Sequence, residues 1–105
     1  MGTANAKFDV GQLVQHKLFN YRGVVVDVDA AFQNSEEWYQ QVALSRPPKD
    51  KPWYRVLVHN GVHETYVAER NLRADDNLES VNHPLLNFYF DKFANGRYSR
   101  QRSVN

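Results

Sequence analysis

The sequence predicts a mainly β protein: a small antiparallel barrel of SH3-like type with a short helical insertion and a C-terminal helix. One observation is the segment Val24–Val28, whose four valines and one aspartate favour a half-buried strand over a helix. Another is Asn60-Gly61, the strongest two-residue hairpin signal, which separates the predicted strands Trp53–His59 and Val62–Ala68. Short strands of this kind in one small chain suit an SH3-like barrel, and an OB-like barrel is the second interpretation.

Two strands are predicted before the helical insertion. The first covers Leu13–Lys17 and the second runs from about Gly23 to Asp29. Because side chains alternate along a strand, one face of the second strand is expected to carry Val24, Val26 and Val28.

The insertion is predicted as a helix from about Glu36 to Leu44. Ser35 can cap its free amide groups, and the acidic first turn suits the positive end of the helix dipole. The helix ends before Pro47-Pro48, because proline cannot donate to the helical hydrogen bonds.

The hairpin that follows has a predicted register. A type I′ turn at Asn60-Gly61, with positive φ at both residues, pairs the flanking strands in a fixed way. The expected pairs are His59 with Val62, Leu57 with Glu64 and Arg55 with Tyr66. Glu69–Leu72 is expected to form a final turn or short strand that closes the sheet.

The C-terminal part is predicted to be separate from the barrel, which gives a division into residues 1–84 and 85–105. Residues 73–82 form a polar linker, and Pro84 can start a helix over Leu85–Ala94. Asn95-Gly96 would stop that helix, and Arg97–Asn105 is expected to be disordered.

Composition narrows the function classes. A chain of 105 residues is one domain, and the absence of cysteine excludes disulfides, thiol nucleophiles and thiolate metal sites. No apolar run approaches the roughly 20 residues that span a bilayer, and residues 1–6 lack a signal-peptide core. We therefore expect a cytoplasmic protein that contacts no membrane.

Charge is nearly balanced overall but unevenly distributed. The net charge of +1 is weaker than a dedicated nucleic-acid binder usually carries. However, an acidic linker (Asp75, Asp76, Glu79) is separated from a basic tail (Arg97, Arg100, Arg102), which can leave one positive face.

Catalysis and metal binding find little support in the residues. No serine lies in a nucleophile-elbow context, and the pair Asp27 and Asp29 most simply reads as a solvent-facing strand end. His59 and His63 supply only two of the four ligands that zinc requires. We expect no catalytic residue, no metal and no cofactor.

A binding patch is the stronger candidate. Lys17, Phe19, Tyr21 and Arg22 combine cations with flat rings, as nucleic-acid binders do, and Arg55 is predicted to join the same face. Trp53, with Phe19 and Tyr21, is a candidate wall for an apolar pocket on this face. The alternative is that the rings fill the core and the cations are merely solvated.

The predicted C-terminal helix offers a different kind of contact. It crowds large apolar residues together, so Phe88 and Tyr89 are left as possible surplus for a protein partner. The alternative is simple packing of the helix onto the barrel.

Several blocks of the chain, in order, resemble the heat shock protein HspQ family, which shares the YccV-like or hemimethylated DNA-binding domain. Their sequences are Lys7-Phe8-x-Val10-Gly11-Gln12, His16-x-Leu18-Phe19-x-Tyr21-Arg22-Gly23-Val24-Val25, Asp27-x-Asp29, Glu37-Trp38-Tyr39, Pro52-Trp53-Tyr54-x-Val56-Leu57, Thr65-Tyr66-Val67-Ala68-Glu69-x-Asn71-Leu72 and His83-Pro84. Ala30 departs from the pattern, since proline is expected there.

The resemblance implies an SH3-like barrel without enzymatic activity that binds hemimethylated duplex DNA. It also implies a heat-shock role in protein degradation through the Lon protease, and small homo-oligomers. Two hypotheses of different class follow: a DNA-binding accessory protein, or an adaptor that presents denatured or specific substrates to the protease without functional DNA binding.

Overall fold

A computed structural model describes residues 5–100 of the chain. Its elements in chain order are β1 Leu13–His16, β2 Arg22–Asp29, α1 Glu36–Val42, β3 Trp53–Val58, β4 Glu64–Ala68, a 3₁₀ turn Glu69–Asn71, β5 Leu72–Ala74, α2 Leu86–Tyr89, β6 Lys92–Ala94 and β7 Arg97–Ser99. None of the helices between residues 5 and 100 is long and apolar enough to cross a membrane.

The centre of the protein is a five-stranded antiparallel sheet in the order β4-β3-β2-β1-β5. The mainly β prediction is therefore confirmed. The sheet is open, since β4 and β5 at its two edges are not hydrogen-bonded to each other. Closure into an SH3-like barrel stays a prediction.

The predicted helical insertion and hairpin register are confirmed. Ser35 caps α1 by accepting a hydrogen bond from the main-chain N–H of Trp38, and the helix ends at Val42, two residues earlier than predicted. In the hairpin, Leu57 lies opposite Glu64 and Arg55 opposite Tyr66. The third predicted pair, His59 with Val62, lies outside the paired residues.

The turn of this hairpin differs from the prediction. Only Asn60 has a positive φ, and the loop between β3 and β4 spans five residues, 59–63. The Asn60 N–H donates instead to the Asn82 carbonyl, so contacts with a distant segment select the loop conformation. The two-residue turn with positive φ at both positions occurs at the other Asn-Gly pair, Asn95-Gly96.

A β-bulge changes which valines of β2 face which side. Val25 pairs with Val56 and Asp27 with Arg55, which leaves Val26 as the extra residue. A bulge resets the alternation of side chains. Val28 consequently packs with the cluster that contains Val25, so its predicted place on the face of Val24 and Val26 is wrong.

The helix predicted over Leu85–Ala94 is also wrong beyond Tyr89. Phe90 is extended (φ −135°, ψ 154°), and the chain then forms the hairpin of β6 and β7. Part of the tail predicted to be disordered, Arg97–Ser99, is a strand, and residues 101–105 lie outside the described range. Asn95-Gly96 does form a turn, but this turn connects β6 to β7 instead of ending a helix.

The chain after β5, residues 75–100, which we call the C-terminal segment, covers one face of the sheet. Phe90 and Tyr98 are buried with Leu13, Val24 and Leu57 in one hydrophobic cluster. The Tyr98 hydroxyl accepts from the Val81 N–H and donates to the Val81 carbonyl. The opposite face carries the second cluster, built from Phe8, Val14, Val25, Tyr54, Val56, Val67 and Leu72. The division at residue 84 stays a prediction, although the first cluster joins Leu13, Val24 and Leu57 to Phe90 and Tyr98 from beyond residue 84.

Candidate nucleic-acid interface

The turn between β1 and β2 holds Phe19 out into solvent. His16 at the end of β1 is buried, and its Nδ1 accepts hydrogen bonds from the main-chain N–H groups of Leu18 and Phe19, both at 3.1 Å. Asn20 adopts a positive φ of 63°, which asparagine tolerates better than most residues. The Phe19 ring is 74% exposed and stacks on the His16 imidazole at 4.7 Å between centroids. A buried neutral histidine therefore positions an exposed ring beside Lys17.

This arrangement makes the turn sensitive to pH. Burial lowers the pKa of His16 below its ordinary value of 6.5, and a proton on Nδ1 would abolish both hydrogen bonds. Just below pH 6.5, His16 therefore binds a proton more readily in the unfolded chain than in the folded chain. The His16 contribution to stability is therefore complete above pH 6.5 and is lost as the pH falls below it.

We expect His16→Asn to flatten this pH dependence. The asparagine carbonyl oxygen can accept the same hydrogen bonds but does not titrate. The measurement is thermal unfolding of both proteins between pH 7.5 and 5.5. The midpoint temperature of the wild type should fall further over this range than that of the variant. Parallel loss in the two proteins would mean that His16 stays neutral without cost, or is not the group that titrates.

A groove of about 450 Å³ lies next to this turn. Its lining includes Phe19 and Tyr21 from the turn, β4 residues, and the end of α1 with the residues that follow it, and none of its lining residues is charged. Its floor is an aromatic stack: the Trp53 and Tyr66 rings lie 5.2 Å apart and nearly parallel, and the Arg55 guanidinium lies 5.0 Å from the Tyr66 centroid. The groove is therefore an apolar, ring-lined surface.

The three predicted rings meet in this groove, but with different exposure. Phe19 is largely exposed, Tyr21 is half-buried and Trp53 is only 1% exposed. The Tyr21 hydroxyl bonds the Thr65 hydroxyl at 2.7 Å, and burial raises the pKa of Tyr21. Trp53 donates its indole N–H to the Pro48 carbonyl. Trp53 thus belongs to the floor and the core, and Phe19 is the ring that a partner can reach.

Two of the predicted cations are held by acidic partners. The Arg22 guanidinium pairs with Asp75 at 2.6 Å and donates to the carbonyls of Asn77 and Glu79, so it anchors the segment that was predicted as a linker. Arg55 lies 3.7 Å from both Asp27 and Glu64. Lys17 is the predicted cation that remains exposed and without an ion pair in residues 5–100.

The tail arginines are also engaged within the protein. Arg97 lies 3.8 Å from Asp9, and Arg100 donates to the carbonyls of Phe88 and Tyr89. Arg102 lies outside the described residues.

Sequence reasoning missed a basic strip, which we define as Lys7, Lys17, Lys51 and Arg70. Three of these residues, Lys7, Lys51 and Arg70, line one small cavity, and the Lys17 N–H donates to the carbonyl of Asn71, the neighbour of Arg70. All four are exposed, and in the described part of the chain none of their side-chain nitrogens lies within 4.0 Å of a carboxylate oxygen. Glu69 lies in the same cavity, where it accepts from the Tyr54 hydroxyl and the Lys7 N–H.

The strip adjoins the groove. Asn71 and Ser45 line the groove, while Arg70 donates to the Ser45 carbonyl at 2.5 Å. Cations beside exposed rings are the combination that contacts phosphates and bases.

The family assignment agrees with this surface. The family described as hemimethylated DNA-binding protein YccV like matches residues 6–97. The chain belongs to the YccV-like family. The match spans the basic strip, the groove and the five-stranded sheet, and it confirms the resemblance drawn from the sequence blocks.

The hairpin residues His59 and His63 contact Asn82 and His83, which follow β5 in the chain. Among residues 5–100, no three histidine, cysteine, aspartate or glutamate side chains cluster so that they could hold a metal ion. His59 Nδ1 accepts from the Asn82 N–H, and the His63 carbonyl contacts His83 Nε2 at 2.9 Å. Both hairpin histidines therefore take part in joining the loop after β3 to the C-terminal segment.

Phe88 and Tyr89, which were predicted to contact a protein partner, both lie on α2. Phe88 is 73% exposed and packs edge-on against the Tyr89 ring at 5.1 Å. The Tyr89 hydroxyl donates to Glu64 at 3.3 Å, which ties the helix to the start of β4. A protein contact through Phe88 stays a prediction.

Proposed function

We propose that the protein binds hemimethylated duplex DNA without catalysis, with the basic strip on the phosphates and Phe19 at the methylated base. The observation that carries the proposal is a strip of four exposed cations, without an ion pair among residues 5–100, beside one exposed ring in a member of the YccV-like family. Phosphate contacts supply affinity and register, whereas specificity must come from the base edge.

The contact with a single methyl group limits how strongly the protein can distinguish hemimethylated from unmethylated DNA. An adenine N6-methyl group lies in the major groove and adds apolar surface there. Burying one such group contributes about 0.8 kcal/mol, which corresponds to roughly fourfold in affinity. Discrimination between hemimethylated and unmethylated DNA is thus expected to be modest, while total affinity depends on charge.

The experiment compares one duplex in its hemimethylated and unmethylated forms, by fluorescence anisotropy at fixed salt. The wild type should prefer the hemimethylated form about fourfold. Phe19→Ala should lose that preference while retaining affinity for the unmethylated duplex. Equal affinity of the wild type for both duplexes, or an unchanged preference in the variant, would contradict the assignment of Phe19.

The second candidate function is that of a heat-shock-associated specificity factor for the Lon protease in the cytoplasm. It is favoured by the exposed apolar residues at the groove, since exposed apolar patches mark protein contacts. A degradation assay with the purified protease and a denatured substrate, with and without this protein, tests it separately from DNA binding.

A further inference from the structure

One edge of the sheet presents unpaired main-chain groups to the groove. Strand β4 is an edge strand. Glu69, just after β4, donates its main-chain N–H to the Pro52 carbonyl, which makes these two residues a hydrogen-bonded pair. Hydrogen-bonded and non-hydrogen-bonded pairs alternate along an antiparallel ladder. Tyr66 lies three residues before Glu69 and opposite Arg55, so Tyr66 and Arg55 form a non-hydrogen-bonded pair. The N–H and C=O of Tyr66 therefore point away from β3.

The main-chain groups of Tyr66 are unpaired in the described part of the chain. Between residues 5 and 100, no hydrogen bond reaches the main-chain N–H or C=O of Tyr66. Thr65, Tyr66, Val67 and Ala68 all line the groove, so the free edge borders it directly. An exposed edge of this kind is a template for pairing with another strand.

The groove beside this edge suits apolar side chains. Its rim carries Leu18, Phe19, Val42 and Leu44, which are 57%, 74%, 55% and 76% exposed. The absence of charged residues from its lining makes it unsuitable for phosphate. Aliphatic rim residues such as Val42 and Leu44 also offer no flat surface for stacking a base.

Charge distinguishes one end of the groove. Lys17 precedes the rim residue Leu18, and Arg70 reaches Ser45 in the lining. An acidic residue beside the apolar part of a ligand would complement these two cations.

We propose that β4 and the groove bind an extended peptide segment by strand addition, with large apolar side chains in the groove and an acidic residue near Lys17 and Arg70. Main-chain hydrogen bonds to Tyr66 supply affinity, and the groove selects alternate side chains. This peptide site is distinct from DNA binding. Its biological use rests on the proposed adaptor function, for which it supplies a substrate-binding surface.

The test uses a fluorescent ten-residue peptide in which two aspartates precede alternating threonine and large apolar residues. We expect saturable binding. N-methylation of one set of alternate peptide residues should weaken binding at least tenfold, whereas N-methylation of the other set should change it less than twofold, because only every second residue faces the edge strand. Equal effects from both sets, or no saturable binding, would overturn the proposal.

A matched pair of variants locates the site. Leu44 and Val62 are 76% and 78% exposed, and only Leu44 lines the groove. Leu44→Asp should weaken peptide binding at least tenfold, and Val62→Asp less than twofold. Leu44→Asn, which adds no charge beside Arg70, should weaken peptide binding and leave duplex affinity within twofold, so failure of this proposal is distinguishable from failure of DNA binding.

Two other outcomes assign the groove to a different occupant and overturn the proposal. If Leu44→Asn lowers duplex affinity instead of peptide affinity, the groove belongs to DNA. If Leu44→Asp abolishes a self-association seen by sedimentation, and the peptide does not compete with that association, the occupant is a second copy of the chain.

Discussion

Reversing two charges of the basic strip should nearly abolish DNA binding. We expect Lys51→Glu combined with Arg70→Glu to lower affinity for the hemimethylated duplex on the order of 100-fold at low salt, because two phosphate contacts become repulsions. If all four strip cations contact phosphates, the wild type should show a slope of about −3.6 in log affinity against log salt, and the double variant about −1.8. Anisotropy titrations at four salt concentrations measure both quantities.

The control keeps the change in net charge constant. Lys92 and Arg97 are exposed residues of the C-terminal hairpin, and Lys92→Glu with Arg97→Glu alters the net charge by the same amount. The exposed Arg97–Asp9 contact of 3.8 Å contributes little to stability, so this variant should fold. Equal loss of affinity in the two double variants would mean that general charge, rather than the strip, determines binding.

Truncating Phe90 should produce the largest loss of stability. Phe90 is 4% exposed and packs with Leu13, Val24 and Tyr98 over the face of the sheet. Phe90→Ala should cost about 3–5 kcal/mol in the free energy of unfolding and lower the thermal midpoint by more than about 12 °C. Chemical and thermal denaturation followed by circular dichroism check this.

Phe88 provides the matched control, two residues earlier in the same segment. Its side chain is 73% exposed, so Phe88→Ala should change stability by less than about 0.5 kcal/mol. Similar destabilisation by the two variants would contradict the placement of the C-terminal segment on the sheet.

Local signals predicted much of the fold. The Ser35 cap and the Leu57–Glu64 register depend on residues close in sequence, and both occur as expected. Where distant contacts compete with a local preference, prediction fails. The apolar residues Leu86, Phe90 and Phe93 have helical spacing, and all three do pack against one cluster. They reach it from different elements, because α2 ends before Phe90: Leu86 packs from the helix and Phe93 from β6.

The bulge at Val26 could not be read from a run of valines. Nothing in four similar side chains marks which of them is the extra residue, since the choice depends on the partner strand β3. The two Asn-Gly pairs show the same dependence: contacts of Asn60 with Asn82 select a wider loop, whereas the short strands β6 and β7 take the tight turn.

For the candidate site, the rings were predictable and most of the cations were not. Phe19, Tyr21 and Trp53 fall in conspicuous aromatic blocks, and the fold brings them into one groove. Lys7, Lys51 and Arg70 are far from one another in sequence, and the packing of the N-terminal segment against the turn after β4 brings them together. Arg22 lies beside the predicted rings, yet Asp75 holds it in an ion pair. Ion pairs between distant segments therefore decided which cations remain free.

DNA binding at the basic strip beside Phe19 can be mapped residue by residue. Amide chemical-shift mapping by ¹H–¹⁵N NMR, with the hemimethylated duplex titrated into the full chain, tests it most directly. We expect the largest shifts at the amides around Lys7, Lys17, Lys51 and Arg70, and little change in β6 and β7. Shifts confined to the hairpin Lys92–Ser99, with the strip unaffected, would contradict it.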